Sequence, residues 1–306
     1  MNDQILFIIG PTASGKSEIG LELARRTCAE IISCDSMQIY KGMDIGTAKP
    51  SPEEQKEVPH HLIDIISPQE SFSVYEYREL ALKAIQKIRG KGKLPLFVGG
   101  SGLYIRAVVD GLDPLPGRVN EVREKLGKIE KEKGLIALYE KLQQVNPKRA
   151  KELHPNDKKR IIRALEIWEL SEESGMYGKE KRKADFSGQF HMYGVMRDRE
   201  ELYQRVEQRV DEMMASGWLR EVECLKKGGF SETAREAIGY KELLEHIAEK
   251  KTLEETVAEI KKRTRHLVKK QMTWFRSDKR IKWVPVKGVN FAEKTAVEIL
   301  NDLKGI

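Results

Sequence analysis

GPTASGKS, from Gly10 to Ser17, is the stretch on which the reading of this chain turns. It follows the apolar run Gln4-Ile5-Leu6-Phe7-Ile8-Ile9 and precedes residues at helical spacing, Ile19, Leu21, Leu23 and Ala24. The pattern is G-x-x-x-x-G-K-[ST] between a strand and a helix, the setting that a phosphate-binding loop requires. Gly10, Pro11, Thr12, Ala13, Ser14, Gly15, Lys16 and Ser17 therefore read as a cradle. Glycines let the backbone turn tightly and aim its N–H groups inward, while the positive end of the helix dipole faces the same point. Lys16 is expected on the terminal phosphate and Ser17 as a ligand of Mg²⁺. A cradle of this kind does not say what carries the phosphates.

Working outward, the chain alternates helices and short apolar strands as far as about residue 116. Glu30 to Asp35, His61 to Ile66 and Leu94 to Val98 read as strands, with Pro95 required at the start of its strand. Ser73 with Glu76 forms a capping box for a helix that stops at Gly90. Alternation of this kind predicts an α/β fold, a P-loop NTPase-like parallel sheet with helices on both faces and its ligand at the carboxyl ends of the strands. At Asp113-Pro114-Leu115-Pro116-Gly117 the pattern changes. Residues 117–189 are charged and helix-forming, including Glu121 to Lys133, Leu135 to Val145 and Lys158 to Leu170, so an inserted helical domain is expected. His191 to Met196 returns to the sheet. The division is thus 1–116, 117–189 and 190–306, the last carrying basic helices, one of them capped by Thr252 and Glu255 and reaching about Phe275.

With 306 residues and a formal charge of +7, the chain is long enough for two domains and favours a polyanionic partner. Cys28, Cys34 and Cys224 are odd in number and lack paired zinc spacing, so they read as free thiols in a reducing compartment. No run of about 18 apolar residues and no basic leader is present, which predicts a cytoplasmic protein without a membrane segment.

Asp35 ends a strand and opens DSMQIYKGMDIGTAKP, Asp35 to Pro50, a polar and glycine-containing run suited to handling a substrate beside the cradle. A magnesium-ordering aspartate followed by an ordinary loop is the other reading of the same residues. Between Ile260 and Lys282 stand ten Lys or Arg against one acid, Asp278, interleaved with Trp274 and Phe275. Leu253, Val257, Ile260, Leu267 and Phe275 can form a buried stripe there, leaving charged flanks for a phosphate backbone. Lys179, Lys181, Arg182 and Lys183 form a second basic cluster. Two clusters on a basic chain point to nucleic acid.

GPTASGKS, DSMQIYKGMDIGTAKP, GGSGLYIRA (Gly99 to Ala107), HPNDKKRIIRALE (His154 to Glu166), AREAIGYKE (Ala234 to Glu242) and KKQMTWFR (Lys269 to Arg276) jointly resemble the tRNA dimethylallyltransferases, or tRNA isopentenyltransferases, of bacterial type. These matches run in order from residue 10 to residue 276. The resemblance implies transfer of a dimethylallyl group from dimethylallyl diphosphate to the exocyclic N6 amine of the adenine adjacent (3′) to the anticodon. The cradle then holds a leaving diphosphate, with Lys16, Mg²⁺ on Ser17 and, as a further cation, Arg235 stabilising its charge.

By the same resemblance Asp35 is the general base that takes the proton turned acidic as the amine attacks. The adenine must leave its stack to react. Contacts to tRNA are implied at Asp35, Ser36, Met37 and Gln38, at Ser101 and Arg123, and at Lys159, Arg160, Ile161, Ile162 and Arg163. Gln271 is expected to read a base. The inserted helices would grip the anticodon stem-loop, and the chain is expected to act as a monomer. His154 in HPND reads as a structural histidine rather than a catalyst. Ser17 stands where many members have Thr, an exchange that keeps the hydroxyl. Two other enzymes use the same cradle: a P-loop kinase or nucleotide hydrolase with the insertion as a lid, and a prenyltransferase acting on free adenine nucleotides.

Overall fold

Alternate residues of the first strand, Gln4–Ile9 (β1), are buried on opposite faces, and this two-sided burial sets the layering. The structure is a computed structural model that describes residues 4–113, 115–174 and 189–304. The basic cluster at Lys179, Lys181, Arg182 and Lys183 lies outside the described residues.

The remaining strands are Glu30–Cys34 (β2), His60–His61 (β3), Pro95–Gly99 (β4), Gln189–Met196 (β5) and Ile281–Pro285 (β6). They form one sheet of order β3-β2-β4-β1-β5-β6 in which every pair is parallel. In chain order the helices are Lys16–Thr27 (α1), Pro52–Glu57 (α2), Val74–Gly90 (α3), Gly102–Val109 (α4), Asn120–Val145 (α5), Pro147–Lys151 (α6) and Lys158–Ser174 (α7). Then follow Arg199–Ala215 (α8), Trp218–Lys226 (α9), Glu232–Arg235 (α10), Tyr240–Ile247 (α11), Leu253–Arg276 (α12) and Ala292–Lys304 (α13).

Two compact units result. The first is Met1–Asp110 with Phe186–Ile306, and the second is Gly111–Asp185, against an expectation of 117–189. In the first unit, Phe7, Ile9, Ile32 and Phe97 pack beneath α3 and α4, while Leu6, Ile8, Ile31 and Leu96 pack beneath α1 and α13. Register pairs Ile9 with Gly99 and Cys34 with Gly99, so β1, β2 and β4 end at one level. The loops after them therefore meet along a single carboxyl edge. A third cluster joins Ile39, Tyr40 and Met43 to Val210, Trp218, Val222, Tyr240 and Ile260. In the second unit, α5 and α7 close on Leu126, Leu138, Leu142, Ile161 and Leu165.

The capping boxes expected at Ser73 and Thr252 are both formed, and Asp198 caps α8. Several expectations are corrected. The third strand is two residues long, because Leu62 and Asp64 adopt positive φ, 63° and 54°, which ends the extended run. β6 was not read from its sequence, KRIKWVP being too charged to show a strand pattern. The buried stripe of α12 is Thr256, Ile260, Val268 and Phe275, whereas Leu253 is exposed. Cys28, Cys34 and Cys224 are free thiols. Among the described residues no helix is long and apolar enough to cross a membrane.

Candidate active site

Between β1 and α1 the chain bends through two left-handed residues, Ala13 at φ 62° and Gly15 at φ 96°. Gly15 is obligatory on space as well as conformation, since a Cβ would lie 2.4 Å from the Phe291 ring. The strain at Ala13 is held from outside. Arg205 Nε donates to the Ala13 carbonyl at 3.0 Å, and Arg197 Nε donates to the Ser14 carbonyl at 2.9 Å while stacking 4.2 Å from the Phe291 ring. With these two carbonyls held by arginines, the loop keeps the tight left-handed bend on which a phosphate cradle is built. Two N–H groups of the loop are already taken: Thr12 donates to Gln271 Oε1 at 2.9 Å and Ser14 donates to the Pro11 carbonyl at 3.3 Å.

Lys16 sits inside this bend, with Nζ donating to the Pro11 carbonyl at 3.2 Å. Its pKa is lowered to about 8, first by burial and then by the neighbouring Arg209, against the opposing pull of Asp35. Ser17 is exposed at the start of α1. A cavity of about 390 Å³ opens here, with Lys16, Ser17, Lys49, His60, Arg205 and Arg209 among its walls. A cleft lined by Thr12, Lys16, Asp35, His60 and Arg209 leads from it. Beyond lies a second cavity, about 320 Å³, shared by Thr12, Asp35 and Arg209; Val206, Val210, Met213, Trp218 and Ile238 give it a largely apolar wall, interrupted by Ser36, Thr47, Ser101, Thr264 and Glu236.

Asp35 thus stands where the charged and the apolar spaces join. Its Oδ1 accepts the Met37 N–H at 2.8 Å, which turns the chain sharply after β2. The strand end beneath it is pinned by Tyr77, whose hydroxyl donates to the Ser33 carbonyl at 3.0 Å and lies 3.1 Å from Cys34 Sγ. Burial pushes the Cys34 thiol up to about 12, so it is inert packing.

The other residues singled out in the sequence divide into groups. Ser36, Met37 and Ser101 line the apolar cavity with Asp35. Gln38 is spent on its own loop: Ser33 Oγ donates to its Oε1 at 2.9 Å, and its Nε2 donates to the Thr47 and Ala48 carbonyls. Gln271 likewise bridges two loops, since its Nε2 donates to the Gly100 carbonyl at 3.0 Å while Oε1 holds Thr12. Each end of the Gln271 amide thus has a backbone partner, and the side chain ties the P-loop to the turn after β4.

In the second unit Arg123 and Arg163 both close on the buried carboxylate of Glu166, at 2.9 and 2.7 Å. Burial alone would raise the Glu166 pKa, but these arginines and the Val119 N–H hold it below the ordinary range. Lys159 and Arg160 are exposed on α7, whereas Ile161 is fully buried in that unit's core. A contact between Ile161 and tRNA is therefore corrected: α7 turns that residue inward. Arg235 is exposed at the end of the one-turn α10 and lines neither cavity nor the cleft. The cation found beside Lys16 is Arg209, half-buried on α8, its pKa lowered by burial.

Sequence reading missed Arg209 and His60. Arg205 and Arg209 lie one turn apart, flanked by Val206 and Val210, so a basic stripe beside an apolar one was the available signal. His60 donates from Nδ1 to the Val58 carbonyl at 2.7 Å, and burial holds its pKa below the usual value. Of the basic residues on and after α12, Lys261, Arg263, Arg265, Arg280 and Lys282 are paired with acids of other elements. Lys262, Lys269, Lys270, Arg276 and Lys279 are exposed.

Fold and site define a P-loop α/β protein whose phosphate cradle opens past a carboxylate into an apolar cavity. A family model described as IPP transferase matches residues 38–278. The chain is 44% identical over 306 residues to a tRNA dimethylallyltransferase of Carboxydothermus hydrogenoformans, covering 99% of this chain and 98% of the relative. It belongs to the IPP transferase family, that of the tRNA dimethylallyltransferases. Among solved structures it resembles a tRNA isopentenylpyrophosphate transferase of Bacillus halodurans, with TM-score 0.73 and 38% identity over 100% of this chain and 96% of that one. It also resembles a eukaryotic dimethylallyltransferase acting on tRNA, with TM-score 0.77 and 26% identity over 99% of this chain and 80% of that one.

Proposed function

We propose that the chain transfers a dimethylallyl group from dimethylallyl diphosphate to the exocyclic N6 amine of the adenine adjacent (3′) to the anticodon in tRNA, releasing diphosphate. One juxtaposition carries this reading: a phosphate cradle joined, through Asp35 and Arg209, to a cavity with apolar walls. A diphosphate bearing a short hydrocarbon matches both halves. Family membership and relatives named for the same reaction support it.

In this mechanism Lys16 and Arg209 bind the diphosphate and stabilise the negative charge that grows as the carbon–oxygen bond breaks. The bond's electron pair leaves on the diphosphate, the adenine nitrogen bonds the allylic carbon, and the amine proton passes to Asp35. Arg209 takes the part expected of Arg235. Ser17 offers one hydroxyl, and among the described residues no group of three acidic, His or Cys side chains gathers to hold a metal. That donor set fits Mg²⁺, which binds one or two protein oxygens together with phosphate and water. When bound, Mg²⁺ would rest on Ser17 and add positive charge beside the leaving group.

The adenine is flipped from the anticodon loop toward Asp35, past Ser36, Met37 and Ser101, so that its amine meets the allylic carbon where the two spaces join. Lys159 and Arg160 of the helical unit, and the exposed lysines of α12, follow the RNA backbone. Gln38, Arg123, Arg163 and Gln271 act as positioning residues. The enzyme works as a monomer in the cytoplasm. The test is to incubate the chain with radiolabelled dimethylallyl diphosphate, Mg²⁺ and unmodified tRNA, with AMP and ATP in parallel. Label in tRNA alone supports the proposal; label in AMP, or hydrolysis of ATP with no label in tRNA, replaces it with one of its two rivals.

A further inference from the structure

Resting on that reading, one wall of the apolar cavity bears on which prenyl donor can enter. Thr12, Asp35 and Arg209 line both this cavity and the cleft that reaches Lys16, whereas Trp218 lines the cavity and not the cleft. The Trp218 side chain opens α9 and is only 2% exposed. Main chain presses on it from two directions, since a Cβ at Gly46 or at Gly239 would lie 2.0 Å from the ring. Tyr240 stands edge-on to it at 5.8 Å.

That packing is tied by one carboxylate. Glu221 accepts the Tyr240 hydroxyl at 2.6 Å and the N–H groups of Asp44 and Ile45 at 2.9 and 2.7 Å. The helix bearing Trp218, the loop bearing Gly46 and the tyrosine beside the ring are therefore one rigid knot. An indole so backed has no room to swing aside, and close-packed walls resist even one added methylene.

We infer that Trp218 sets the chain length of the prenyl donor, admitting a five-carbon group and excluding a ten-carbon one. Trp218 acts on specificity by shape, with no part in proton or charge transfer. The experiment compares kcat/KM for geranyl and dimethylallyl diphosphate, with tRNA as acceptor, in the native chain, Trp218→Leu and Trp218→Phe. Each added carbon in an apolar pocket commands about ten-fold or more in discrimination. Trp218→Leu should therefore raise the geranyl to dimethylallyl ratio by at least about ten-fold, and Trp218→Phe by less.

A ratio unchanged in a variant that still transfers dimethylallyl overturns the inference. If both variants lose turnover, titration calorimetry with the two diphosphates reads the same ratio as affinities, and an unchanged ratio again overturns it. Failure of the underlying reading would differ, appearing as no dimethylallyl transfer to tRNA by the native chain.

Discussion

Replacing Glu30 by Gln should cost stability at neutral pH and almost none in strong acid. Glu30 begins β2, its side chain is 1% exposed, and it accepts from Lys91 at 2.8 Å, Lys93 at 3.0 Å and His61 Nε2 at 2.8 Å. Burial favours its neutral form, but hydrogen bonds from Lys91, His61 and Lys93 outweigh burial and bring its pKa from 4.5 to about 2. The difference is about 2.5 pH units, which at about 1.4 kcal/mol per unit is about 3.5 kcal/mol. Both lysines are partly exposed and screened, so about 2 kcal/mol is the expected loss.

Because the folded pKa is the lower one, this stability is complete above about 4.5 and disappears as pH falls toward 2. Urea unfolding of the native chain and Glu30→Gln at pH 7, 5 and 3.5 measures it. The two midpoints should converge as pH falls. A separation that stays constant from pH 7 to 3.5 would refute the reasoning, since a packing defect has no such dependence. Transfer activity at pH 7 and moderate temperature should be little changed, because Glu30 lies at the opposite end of β2 from Asp35.

Asp35→Asn should lower turnover by roughly 10²-fold or more with tRNA affinity retained, measured by single-turnover transfer and filter binding; unchanged turnover would remove Asp35 from the mechanism. Arg209→Ala should lower kcat/KM for dimethylallyl diphosphate by about 10²-fold, whereas Arg235→Ala should leave it within a few-fold. Gln271→Ala should weaken diphosphate binding more than tRNA binding, because the Thr12 N–H and the Gly100 carbonyl lose their bridge; a loss confined to tRNA would restore a base-reading role.

Much of the site was legible because its signals are local. A strand, a glycine turn and a helix start are neighbours in sequence, and capping at Ser73, Asp198 and Thr252 depends on residues two or three positions apart. Those patterns alone determined the P-loop, the parallel α/β layering and the strand-end position of Asp35, and the ordered motifs determined the family. β6 escaped because its buried residues, Ile281 and Val284, stand three apart instead of alternating, and Lys279, Arg280 and Lys282 crowd around them.

Tertiary structure alone decided what each polar group is free to do. Gln271 meets Thr12 across 259 residues, and no local pattern could show that its amide braces the P-loop. The same holds for Arg209, delivered to Lys16 by α8 while Arg235 stays at the surface, and for Ile161, which α7 turns into its core beside two exposed basic residues. A motif states which side chains are present, but hydrogen-bond partners and cavity walls come from segments distant in the chain. Only their packing separates the groups that touch substrate from those that hold the site in shape.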